Sequence, residues 1–140
     1  MSPPDLEITI DGWWGRVESK RAVALKMVDD RAHCREAWQA AGTAVEFAFK
    51  AVIMKRERMN RWPDKSERPD LHTHDLRVLL RIAGVDPRGL ERPLRASIRT
   101  VLDWDRSHDY AVGSMERRVA RSMVDATFGP DGVVTWLKTL

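Results

Sequence analysis

Apolar side chains recur along this chain every three or four residues, the spacing of a helix that buries one stripe, and no alternating run is long enough to compete as a strand. Val17, Ala24, Leu25 and Val28 predict a first helix over about Val17 to Val28. Asp29 and Asp30 then offer N-cap side chains for a second helix that runs without proline to about Arg58, with Gly42 as its one weak position. Within it Ala37, Ala41, Ala44, Ala48 and Ala51 repeat at steps of four and three. Such a seam of small residues lets a neighbouring helix approach closely, and Trp38, Val45, Phe49, Val52 and Ile53 flank it with bulk, so this helix is expected to be central.

Met59 to Asp70 hold Pro63, Pro69 and mostly polar side chains and predict a surface loop. Thr73 is placed to cap a third helix with Asp75 in its first turn and Leu76, Leu79, Leu80 and Ala83 on its inner face, and Gly84 ends it. Pro93 suits the first turn of a fourth helix whose inner stripe is Leu94, Ile98, Val101 and Leu102. Ser114 is the expected cap of a fifth, with Val119, Met123 and Ala126 facing inward. Gly129 to Gly132 break it, and a last turn or two from Val133 to Leu140 returns Val134 and Leu137 to the core. The predicted fold is all-α, an antiparallel bundle of four to five helices. Met1 to Gly15, with two prolines and the pair Trp13-Trp14, are expected to form a short N-terminal arm, and residues 16 to 140 one helical domain.

With 140 residues, 43% of them hydrophobic, the chain can bury one core without help from metal or disulfide. A single cysteine, Cys34, cannot pair internally and is expected to be a buried thiol. No basic segment followed by an apolar run suggests secretion or membrane insertion, so the expected location is the cytoplasm, with no membrane partner. The net charge is only +3, yet 18 of the 24 basic residues are arginine. Arg88, Arg92, Arg95 and Arg99 follow one another at steps of four, three and four, which would align them along one side of the fourth helix and let them track a phosphate backbone. The ordinary alternative is a solvated helix face. His72-Thr73-His74 with Asp70 and Asp75 lacks the spacing of a metal site, so capping and packing are expected there, and neither metal nor cofactor is called for.

The order of three features carries a resemblance: Ala-Val-Glu-Phe-Ala-Phe-Lys-Ala from Ala44 to Ala51, with Glu46 and Lys50; a polar loop; and His74-Asp75-Leu76 opening the next helix. With the polar bend His108-Asp109-Tyr110 further on, the chain from about Val17 to Leu137 resembles the HEPN domains, small all-helical domains common in prokaryotes. The resemblance implies a bundle that often forms homodimers and is associated with RNA or nucleotides. Many members are ribonuclease toxins paired with a nucleotidyltransferase-type antitoxin, or parts of anti-phage systems, while others have lost catalysis. The active subset carries an arginine, four to six residues and then a histidine, often with a tyrosine two positions on, and His108 and Tyr110 match the end of that motif. At its start this chain departs: the three positions allowed for the arginine hold Val101, Leu102 and Asp103. Arg68 and His74 also have five residues between them, but lie before the third helix rather than at the late bend, and the match is a coincidence of spacing.

Such a ribonuclease needs no metal. The ribose 2′-hydroxyl attacks the adjacent phosphorus, a histidine moves a proton, and a cation that cannot lose its charge steadies the phosphorane. His108 would move the proton, Arg106 or Arg99 would supply the charge, and Tyr110 would orient the substrate. Two functional expectations follow. One is an RNA-associated domain that cleaves RNA without metal as a toxin or anti-phage effector; the other is an inactive HEPN-like module for dimerisation or partner binding.

Overall fold

The computed structural model describes residues 8–104 and 114–140. Among these residues the chain forms six α-helical segments and no strand: α1 (Ile10–Met27), α2 (Cys34–Arg56), α3 (Leu76–Ile82), α4 (Arg92–Leu102), α5 (Arg117–Phe128) and α6 (Val133–Leu137). Two short 3-10 turns, Pro69–Leu71 and Pro87–Gly89, precede α3 and α4. The all-helical bundle expected from the periodicity is therefore the observed fold. No described helix is long and apolar enough to cross a membrane.

The bundle is organised by α2, which packs against α1, α3, α5 and α6. All five alanines of its seam are buried, as are Val45, Phe49, Val52 and Ile53 beside them. Gly42 proves to be a requirement of the packing. A Cβ there would lie 2.0 Å from the indole of Trp104, so only glycine lets that ring, which also leans on Trp38 at 6.0 Å, rest against the helix. The Cys34 thiol is buried and donates to the carbonyl of Met115 at 3.2 Å, tying the start of α2 to the segment before α5.

Several boundaries differ from the expectation for local reasons. The first helix starts at Ile10, so the last part of the expected arm is helical. The Thr9 hydroxyl accepts from the Gly12 backbone N–H at 3.0 Å, and Trp13 is buried in the core. The Asp30 side chain accepts from Ala32 and His33 N–H in a turn, which delays α2 to Cys34. Leu25 and Val119, expected on inner stripes, are exposed; the inner face of α5 is instead Ala120, Met123, Val124, Ala126 and Thr127. Glu116, not Ser114, occupies the N-cap position of α5. Gly84 ends α3 as expected, with a φ of +75°, and the Arg56 guanidinium closes over it to donate to the Ala83 carbonyl.

Candidate functional site

Two side chains four residues apart on a helix share a face, and in α2 this puts Glu46 and Lys50 on the same side. Both are buried, with Glu46 only 1% exposed, so their charges must be satisfied inside the protein. Lys50 Nζ donates to Glu46 Oε2 at 3.1 Å. The same ammonium lies 5.4 Å from the ring centre of Trp13 and 5.6 Å from that of Trp62, close enough for both aromatic faces to stabilise the cation. The two indoles meet edge to face and roof the ion pair. The loop carrying Trp62 is held down by its backbone N–H, which donates to the Ile8 carbonyl at 2.8 Å.

The second oxygen of Glu46 faces α3. There Asp75 is the N-cap, its Oδ1 accepting from the N–H of Arg77 at 2.9 Å and of Val78 at 3.4 Å, while Thr73 Oγ1 accepts from the N–H of Asp75. The cap lies two positions after the expected Thr73, because Asp75 and Thr73 both offer oxygens to the same turn. Buried Leu76, Leu79 and Leu80 hold α3 in the bundle. That places His74, the residue before the cap, with Nδ1 3.0 Å from Glu46 Oε1. When ionised, the carboxylate can only accept, which makes Nδ1 the donor of this pair. His74 nonetheless keeps 60% of its side-chain surface in solvent.

His74 and Asp75 line an open cavity of about 510 Å³ together with Leu76, Arg77, Leu102, Asp103 and Trp104. A second cleft of about 330 Å³, lined by Arg77, Pro87, Arg88, Arg95, Ile98, Arg99 and Leu102, shares Arg77 and Leu102 with the first. Arg77 therefore stands where the two meet, one of its guanidinium nitrogens 3.8 Å from Asp103 Oδ1 on an exposed surface.

Of the residues singled out from the sequence, Glu46, Lys50 and His74 come together, and Asp75 borders them. Arg88, Arg95 and Arg99 line one cleft, although Arg88 belongs to the 3-10 turn and not to α4; Arg92 lies on α4 outside that lining. The Asp86 carboxylate receives hydrogen bonds from the side chain and backbone N–H of Arg88, which hold it below the usual aspartate range and raise the guanidinium in turn. Arg106, His108 and Tyr110 lie outside the described residues. Arg68, at the coincidental spacing from His74, is spent on Asp70 and Glu57. His72 contacts the Pro63 carbonyl at 2.7 Å rather than sharing anything with His74. Among the described residues no three His, Cys, Asp or Glu side chains gather as metal ligands.

Arg77, Asp103 and Trp104 were missed by the sequence reading. Arg77 carried one usable signal, its position two residues after a helix cap and three after His74. Nothing local places Asp103 and Trp104 beside α3. Comparison with protein-family models, with curated proteins and with solved structures returns no match for this chain.

Proposed function

We propose that this chain is a HEPN-like, RNA-associated helical domain that takes a phosphodiester strand along the two joined clefts and cleaves it without metal. The observation that carries this reading is the junction at Arg77. One cleft supplies Arg88, Arg95 and Arg99, whose exposed, forked donors suit phosphate oxygens, and it shares Arg77 and Leu102 with the cavity bordered by His74. The cytoplasm belongs to the same reading and rests on the sequence pattern of the first residues. A homodimer, a nucleotidyltransferase-type antitoxin and a role as toxin or anti-phage effector belong to it too and rest on the resemblance alone. So does the assignment of catalysis to His108, with Tyr110 and Arg106 or Arg99.

A second reading is an inactive module for dimerisation or partner binding. It is favoured by the pairing of Arg88 with Asp86 and of Arg77 with Asp103, which leaves less charge for a ligand.

The test is incubation of a mixed RNA pool with purified protein in EDTA, beside His108→Ala, with RNA affinity measured over a salt series. Cleavage by the unsubstituted protein and not by His108→Ala is the expected result. Binding should weaken steeply with salt, and Arg99→Ala should lower the slope by about 1. An intact pool with salt-dependent binding supports the non-catalytic form, and an unbound, intact pool overturns the RNA reading.

A further inference from the structure

We propose that His74, held by Glu46, is a catalytic residue of this domain: it accepts the proton of the attacking ribose 2′-hydroxyl in the cavity beside Arg77. This inference rests on the RNA-cleaving form of the reading above and adds to it a proton carrier outside the Arg-x-His motif.

A general base needs a group that orients it, a place for the reacting atom, and a nearby charge for the transition state. Glu46 is the orienting group. It is buried and its Oε2 is engaged by Lys50, so Oε1 presents a fixed acceptor to Nδ1 at 3.0 Å. With the Nδ1 proton committed to Glu46, the basic lone pair of a neutral imidazole belongs to Nε2, and the carboxylate stabilises the imidazolium formed when Nε2 takes a proton. Lys50 holds the carboxylate in place, and Trp13 and Trp62 keep Lys50 in place.

The place for the reacting atom is the cavity that His74 lines, and the charge is Arg77, which lines both that cavity and the arginine cleft. A histidine needed only to pin α3 to α2 gains nothing from an exposed ring. Leu71, Leu76 and Leu79, all buried, already perform that task.

The step balances without a co-reactant. The 2′-oxygen bonds to phosphorus as its proton passes to His74 Nε2, the bond from phosphorus to the 5′-oxygen breaks, and that oxygen takes a proton from the acid of the reading above, the role that remains for His108. The products are a 2′,3′-cyclic phosphate end and a 5′-hydroxyl end, and His74 returns its proton to solvent.

His74→Asn tests this, because its amide can still donate to Glu46 but cannot carry a proton. Single-turnover cleavage of a labelled RNA in EDTA should fall at least 100-fold, with RNA affinity within about threefold of the unsubstituted protein and an unchanged thermal midpoint. Arg77→Ala should slow cleavage and weaken binding together. Full cleavage by His74→Asn while His108→Ala is inactive overturns the role of His74 and leaves the ribonuclease reading standing. Loss of affinity in step with rate makes His74 a binding residue and overturns the proton-carrier role. An RNA pool left intact by the unsubstituted protein overturns both the ribonuclease reading and this inference.

Discussion

Charge is used in two ways in this bundle, and the contrast lies between the ion pair under Trp13 and Trp62 and the arginine cleft of α4. In the first, Glu46 and Lys50 are out of water, and both carboxylate oxygens and the ammonium have defined partners, so the geometry of the pair is over-determined. In the second, Arg88 and Asp86 or Arg77 and Asp103 meet in solvent, where salt screens them and long side chains stay adaptable. A buried pair of this kind contributes little net stability over a well-packed apolar pair, but it punishes removal of one partner. An exposed pair is close to neutral either way. The rigid region can therefore aim a histidine, while the loose region can accept ligands of varied shape.

The largest effect that tests the comparison is Lys50→Ala. It leaves the Glu46 carboxylate buried without its cation, and urea denaturation should show a loss of about 3–5 kcal/mol. Replacing Lys50 by Met and Glu46 by Leu together should recover most of that loss. A loss below about 1 kcal/mol for Lys50→Ala would place the buried pair in the same class as the surface pairs.

Next comes Gly42→Ala, which drives a methyl group into the Trp104 indole at a wall of the His74 cavity. Overpacking should cost about 1–3 kcal/mol and change the tryptophan near-UV circular dichroism. Unchanged stability and spectrum would mean that Trp104 has another position open to it.

The smallest effects belong to the surface. The Arg61 guanidinium holds Glu67 below the usual carboxylate range, and Arg88 does the same for Asp86. A depressed carboxylate contributes stability at pH values above the unfolded-state value and loses that contribution as the pH falls through its folded value. Carboxyl titration by NMR should give low midpoints for both residues, and molar salt should move them back toward ordinary values. Midpoints insensitive to salt would show that these pairs are less exposed to screening than their surface position implies.

The helices were legible in the sequence because their signals are local. Spacing of apolar residues, Pro93 in a first turn, Gly84 at an end and the alanine seam of α2 each act within a few residues. The start of α1 departs from the expectation because the Thr9 cap lies close behind prolines that favour an extended arm, and Leu25 and Val119 depart because a helical period allows several faces, of which packing chooses one.

For the site, the sequence by itself determined that Glu46 and Lys50 share a face, since four residues make about one turn, and that Asp75 opens a helix. Only the tertiary structure decided that His74, 28 residues from Glu46, closes onto its second oxygen, and that Arg77 joins two clefts beside Trp104. Those meetings depend on how α3 is laid on α2 and α4 on α5, which is set by the burial of Leu76, Leu79, Ile98 and Val101 and by the room Gly42 leaves for an indole. Such packing sums many weak contacts between distant segments, and no local pattern of residues encodes that sum.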